Sequence, residues 1–170
     1  MLQSLADTLP VAAARFGTKT ALFIGETGIS YPDLNERAQR CARGLVRVGV
    51  KPGDRVTLYL PNSVEWVIAY YAAAMAGAVV NPVNFLNTTA EVDFIVADCG
   101  ARFVLTNEER ALGLHGDATP IVAGGSATGT INFDALCAPG CDAVTLPEVS
   151  AEALALLCYT SGTTGRPKGA

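Results

Sequence analysis

The chain has 170 residues, 50% of them hydrophobic and 16% charged, with twelve Lys and Arg against sixteen Asp and Glu for a formal charge of -4. That length supports one compact domain with a sizeable core, and the apolar fraction excludes a disordered polar tail. The cations are scattered along an acidic chain, which excludes nucleic acid as a partner, because affinity for its backbone is built from clustered Lys and Arg.

Cys41, Cys99, Cys137, Cys141 and Cys158 form no CxxC pair. An odd cysteine count without a basic, secretory-type leader predicts free thiols in a reducing compartment, and hence a soluble cytoplasmic protein. His115 is the one histidine and the Cys137/Cys141 spacing has no second ligand pair, so no metal site is expected. The longest apolar run, residues 66–80, has fifteen residues, short of the roughly 20 that span hydrocarbon as a helix. Gly77 and the Asn81, Pro82 pair weaken it further, and no transmembrane segment is predicted.

Residues 21–24 and 28–31 flank a Gly25, Glu26, Thr27 turn and predict a hairpin that leads directly into a helix. Ser30 with Asp33 three residues later is the helix-start signal, and Leu34, Ala38, Cys41 and Leu45 form the apolar stripe of a helix to about Arg47. Arg37, Arg40, Arg43 and Arg47 lie off that stripe and read as a solvated face. A strand over 54–60 ends at Pro61, Asn62 with Glu65 signals the next helix start, and the run to Met75 is apolar on nearly every side, as in a helix buried from two directions. A short strand over 77–80 completes a parallel βαβ unit.

Thr88 and Glu91 repeat the capping signal before a helix to about Asp98, stopped by Gly100. A strand over 102–106, a weaker helix from Asn107, a strand over 121–123 and a helical turn over 133–136 follow. The glycines of residues 124–129 read as a surface turn. Residues 153–159 predict a buried strand that delivers the chain to its most distinctive segment.

That segment, Tyr-Thr-Ser-Gly-Thr-Thr-Gly-Arg-Pro-Lys-Gly over residues 159–169, joins backbone freedom, hydroxyls and two cations. Gly162, Gly165 and Gly169 permit tight turns whose amides can converge on anionic oxygen. Thr160, Ser161, Thr163 and Thr164 add hydroxyl donors, and Arg166 and Lys168 can oppose phosphate charge. Pro167 removes an amide donor, so Lys168 reaches a ligand by its side chain. The segment is not a Walker P-loop, because Lys168 lies between Pro167 and Gly169 and has no adjacent Ser or Thr for Mg2+.

With Leu157 and Cys158 in front, this segment resembles the phosphate-loop signature of the adenylate-forming (AMP-binding) superfamily, which includes acyl-CoA synthetases and the adenylation domains of peptide synthetases. Ile-Ser-Tyr-Pro-Asp-Leu over 29–34 and Ala-Met-Ala-Gly-Ala-Val-Val-Asn-Pro-Val-Asn over 74–84 extend the resemblance over almost the whole chain, with 113–150 contributing least. The resemblance implies an incomplete α/β fold, the N-terminal part of the large AMP-binding domain over residues 1–170, with a mostly parallel sheet flanked by helices. It implies ATP, Mg2+ and CoA as cofactors and co-substrates of a longer parent enzyme, with a carboxylic acid as the group activated. Thr160, Ser161, Gly162, Thr163, Thr164, Gly165 and Lys168 would hold the β- and γ-phosphates.

The positions such enzymes use for adenine, ribose, Mg2+ and a catalytic lysine, and most of the acyl pocket, are expected beyond residue 170, so no catalytic residue is assigned and the fragment alone is expected to be inactive. The acyl-CoA ligase reading leads over a peptide-synthetase adenylation domain on residues 31–34 and 77–84, and a non-catalytic phosphate-binding or structural module is the third possibility. Fatty and aromatic acids stay undistinguished. A sheet edge and apolar helix surface left uncovered predict self-association.

Overall fold

The computed structural model describes residues 4–140, 143–160 and 167–170. A 3-10 turn, Leu5–Asp7, leads into helix α1, Thr8–Phe16. Both the amide and the hydroxyl of Ser4 donate to Asp7 Oδ2, at 2.9 and 3.1 Å, which fixes this start. Strands β1, Thr20–Ile24, and β2, Thr27–Ser30, pair antiparallel as the predicted hairpin. Helix α2, Tyr31–Arg47, begins where Ser30 Oγ accepts from the Asp33 amide, and it buries Leu34, Ala38, Cys41 and Leu45.

The central sheet is parallel, with strands β3 (Arg55–Tyr59), β4 (Val79–Pro82), β5 (Phe103–Asn107), β6 (Thr119–Ala123) and β7 (Ile131–Asn132) in the spatial order β4-β3-β5-β6-β7. Helices α3 (Val64–Met75), α4 (Thr89–Cys99), α5 (Glu108–Ala111) and α6 (Phe133–Leu136) connect or follow these strands. The register Val56↔Val80, Thr57↔Asn81, Leu58↔Pro82 makes β3–α3–β4 the predicted parallel unit.

Alternation along the strands divides the core into two layers. Val56, Leu58, Phe103, Leu105 and Ile121 pack with α2 and α3 on one face, whereas Tyr59 and Val104 pack with Val92, Ile95 and Val96 of α4 on the other. With β3 inside, β4 on one side and β5 on the other, and with α3 and α4 on opposite faces, the sheet is doubly wound. Its switch point lies at the carboxyl ends of β3 and β5. That end is closed by side chains: Tyr59 and Phe85 rings lie 5.7 Å apart and the Arg110 guanidinium sits over both, at 5.4 and 5.0 Å.

Two expectations need correction. The cap of α3 is Ser63, whose hydroxyl accepts from the Trp66 amide at 3.2 Å, and not Asn62. Residues 153–159 do not form a buried strand. Their contact with the sheet is a single parallel bridge, Val80 to Leu156, in which the Val80 amide donates to Ala155 and the Leu157 amide to Val80, each at 2.9 Å. Leu154 and Leu156 stay 62% and 37% exposed, because they lie outside β4 at the sheet edge and gain only backbone contact there. Among the described residues no helix is long and apolar enough to cross a membrane, and Cys41, Cys99, Cys137 and Cys158 carry free thiols.

Candidate phosphate-loop site

The segment beside β4 runs in the same direction as that strand, so it carries the chain to the carboxyl end of the sheet, where ligands of doubly wound folds bind. There Tyr159–Thr160, strand β8, pairs antiparallel with Lys168–Gly169, strand β9. Cys158 and Ala170 exchange backbone hydrogen bonds at 2.9 and 2.8 Å just below. The pair Tyr159↔Gly169 is then the close, non-hydrogen-bonded kind, and Thr160↔Lys168 the next one up. Alternation puts the side chains of Thr160 and Lys168 together on one face of the ribbon and Tyr159 on the other.

Of the predicted site residues, the structure thus brings Thr160 and Lys168 opposite each other, both exposed. Ser161, Gly162, Thr163, Thr164 and Gly165, with Arg166, lie outside the described residues. They connect the two partners, so the ribbon is the base from which the whole predicted loop springs.

A cleft of about 370 Å3 adjoins this base, lined by Val83, Asn84, Asn87, Glu91, Ile95, Tyr159, Thr160 and Pro167. The lining carboxylate of Glu91 is engaged as the cap of α4: the Thr88 amide donates to it at 2.7 Å and the Thr88 hydroxyl at 2.9 Å, which together hold it below the usual carboxylate range. Asn84 Oδ1 accepts from the Leu86 amide at 3.0 Å and so shapes the loop that forms the cleft wall. A larger groove, about 540 Å3, lies at the amino ends of β5 and β6, but its cation, Arg102, is already paired with Asp54 at 2.6 Å.

On the far side of the ribbon the Tyr159 hydroxyl donates to Asp98 Oδ2 at 2.5 Å, across 61 residues of sequence. Burial and then this bond push the phenol well above its ordinary range. A Cβ at Gly169 would stand 3.0 Å from the Tyr159 ring, so the aromatic face rests on the glycine. Asp98 and the lining residue Asn87 were not identified from sequence. The one sequence signal for Asp98 is its place in the last turn of α4, where an acid opposes the helix dipole.

The AMP-binding enzyme family matches residues 9–170, and the chain belongs to that family. It is 37% identical over 162 residues to the feruloyl-CoA synthase of an Amycolatopsis species, a match covering 95% of this chain and 32% of that protein. It is also 32% identical over 158 residues to a plipastatin synthase from Bacillus subtilis, covering 92% of this chain and 6% of that protein. Among solved structures, the anthranilate CoA ligase AuaEII in complex with anthranoyl-AMP superposes with a TM-score of 0.88 at 27% identity, over 98% of this chain and 34% of that one. The chain spans about a third of the length of the feruloyl-CoA synthase it matches.

Proposed function

We propose that residues 1–170 are the N-terminal part of the AMP-binding domain of an ATP-dependent acyl-CoA ligase and that residues 160–168 hold the β- and γ-phosphates of ATP. The observation that carries this reading is the pairing of Thr160 with Lys168 at the carboxyl end of the sheet, which sets a hydroxyl and a cation opposite each other at the two ends of a hydroxyl- and glycine-rich stretch of sequence. The relatives support the reaction class: a feruloyl-CoA synthase and an anthranilate CoA ligase both handle a carboxylic acid and CoA.

In the reaction proposed, a carboxylate oxygen attacks the α-phosphorus of ATP, the bond from that phosphorus to the bridging oxygen breaks, and pyrophosphate leaves. A CoA thiol then attacks the acyl carbon, its proton passes to solvent, and AMP departs. Lys168 and the hydroxyl of Thr160 act in the first step. Their contacts strengthen as negative charge moves onto the departing pyrophosphate, and only such a gain lowers the barrier. Ser161, Thr163 and Thr164, with the amides of Gly162 and Gly165, are assigned to the same phosphates.

Mg2+ accompanies ATP in this chemistry. Among the described residues no group of three or more His, Cys, Asp or Glu is placed to hold a metal ion, and no step is routed through it.

The match to plipastatin synthase favours one second reading, an adenylation domain whose acceptor is a carrier-protein thiol. Pyrophosphate exchange by the complete polypeptide, run with aromatic acids, aliphatic acids and amino acids, separates these readings. Exchange with an aromatic or aliphatic acid and AMP release on adding CoA supports the ligase; amino-acid-dependent exchange that CoA leaves unchanged supports the second. No exchange with any acid contradicts both.

A further inference from the structure

Two strands of two residues each cannot hold their own register in water, and the chain leading to them meets the sheet through one bridge. The base of the loop therefore needs a tie to the packed layers. The Tyr159 side chain supplies one at each end. Its ring covers Gly169 on the neighbouring strand, and its hydroxyl reaches the carboxylate of Asp98 in the last turn of α4. The phenol donates to a carboxylate, the stronger class of hydrogen bond. Asp98 sits where the dipole of α4 disfavours an acid, and that helix has no basic residue in its last turn to compensate. Helix packing gives no account of an acid there; the phenol does.

We propose that Asp98 is a positioning residue for the phosphate loop, its carboxylate anchoring Tyr159 and thereby fixing where Lys168 stands opposite Thr160. This rests on the reading of residues 160–168 as the phosphate site. Asp98 touches no substrate. It acts through Tyr159, whose ring sets the position of Gly169 and so of its neighbour Lys168. A second tie runs through the same helix end: the Cys99 and Gly100 carbonyls accept from the Arg55 guanidinium at 2.7 and 2.9 Å. The anchor point is thus itself bound to β3, an interior strand of the doubly wound sheet.

The test is calorimetric titration of the complete polypeptide with Mg·ATP, comparing Asp98→Ala, Tyr159→Phe and the double variant, with Lys168→Ala as the control for the loop itself. Each single variant is expected to weaken binding by about tenfold, the size of one lost charge-assisted hydrogen bond, and the double variant by no more than either single one. Thermal midpoints should stay within about 2 °C of the parent, because the bond is exposed. A merely structural role would move the midpoint and not the coupling. If Asp98→Ala does not fold, Asp98→Asn takes its place in the cycle; it keeps an acceptor oxygen without the charge and is expected to lose less, still non-additively. Binding that Lys168→Ala abolishes but Asp98→Ala or Tyr159→Phe leaves unchanged overturns this proposal alone, as do additive losses. Binding absent from the parent, or untouched in Lys168→Ala, overturns the phosphate-loop reading and this proposal with it.

Discussion

Thr160 and Lys168 are register partners across the ribbon of β8 and β9, one at each foot of the segment that joins them. Their side chains share a face, so a hydroxyl and an ammonium are presented on the same side of the ribbon. Thr160→Val keeps the β-branched shape that suits the strand and removes only the hydroxyl. Affinity for Mg·ATP should fall about fivefold, the scale of one exposed hydrogen bond to an anion, with the denaturation midpoint unchanged. Calorimetry and urea unfolding on the same preparation check both halves.

Gly169 is held to glycine by its neighbour. A Cβ there would lie 3.0 Å from the Tyr159 ring and 3.2 Å from its hydroxyl oxygen, so Gly169→Ala shifts the ring by a few tenths of an ångström against its bond to Asp98. The expected result is faster amide exchange at residues 158–160 and 168–170, with exchange in β3 and β5 unaltered. Hydrogen exchange with mass detection reads it directly.

The packing of α2 against α6 makes a stability prediction far from the loop. A Cβ on Gly44 would stand 2.1 Å from the Leu136 carbonyl oxygen and 2.8 Å from its Cγ. Alanine gains up to about 1 kcal/mol of helix propensity over glycine, but overpacking against backbone costs roughly 1–3 kcal/mol. Gly44→Ala should therefore destabilise the fold by up to about 2 kcal/mol in urea unfolding, without a specific effect on nucleotide affinity.

Alkaline pH offers a separate handle. Burial, followed by the bond to Asp98, raises the Tyr159 phenol above its ordinary value near pH ~10, so the folded state holds that proton more tightly than the unfolded chain. Its contribution is complete below the ordinary tyrosine range and is lost as pH climbs through it toward the higher folded value. Tyr59 and Tyr70 are raised too, in each case first by burial, so they add to the same slope. Urea midpoints measured from about pH 9 to pH 11 should fall, and fall less steeply in Tyr159→Phe.

Local signals in the sequence located most of the fold. Ser30 with Asp33, and Thr88 with Glu91, mark helix starts that the structure keeps, and Gly100 ends α4 at φ 63°. The apolar run through Met75 is buried because α3 packs against both the sheet and α2. Where the reading failed, the deciding contact was distant or ambiguous. Asn62 and Ser63 are both good caps, and only the geometry selects Ser63. The Leu and Ala alternation of 153–157 looks like an interior strand, yet an edge position leaves Leu154 exposed. No element was expected before residue 21, although Ser4 and Asp7 carry the same capping chemistry as Ser30 and Asp33. Composition singled out residues 159–169, of which the structure pairs Thr160 with Lys168, but the contact of Tyr159 with Asp98 was not legible, because the two meet only after 61 residues have folded back.

The most direct test of the central claim is acid-dependent exchange of pyrophosphate into ATP by the complete polypeptide and its Lys168→Ala variant. The account predicts exchange that requires a carboxylic acid and drops about a hundredfold in the variant, the scale of losing one preorganised contact to developing charge, with the thermal midpoint intact. Exchange that proceeds equally without Lys168, or its absence with every acid offered, would contradict it.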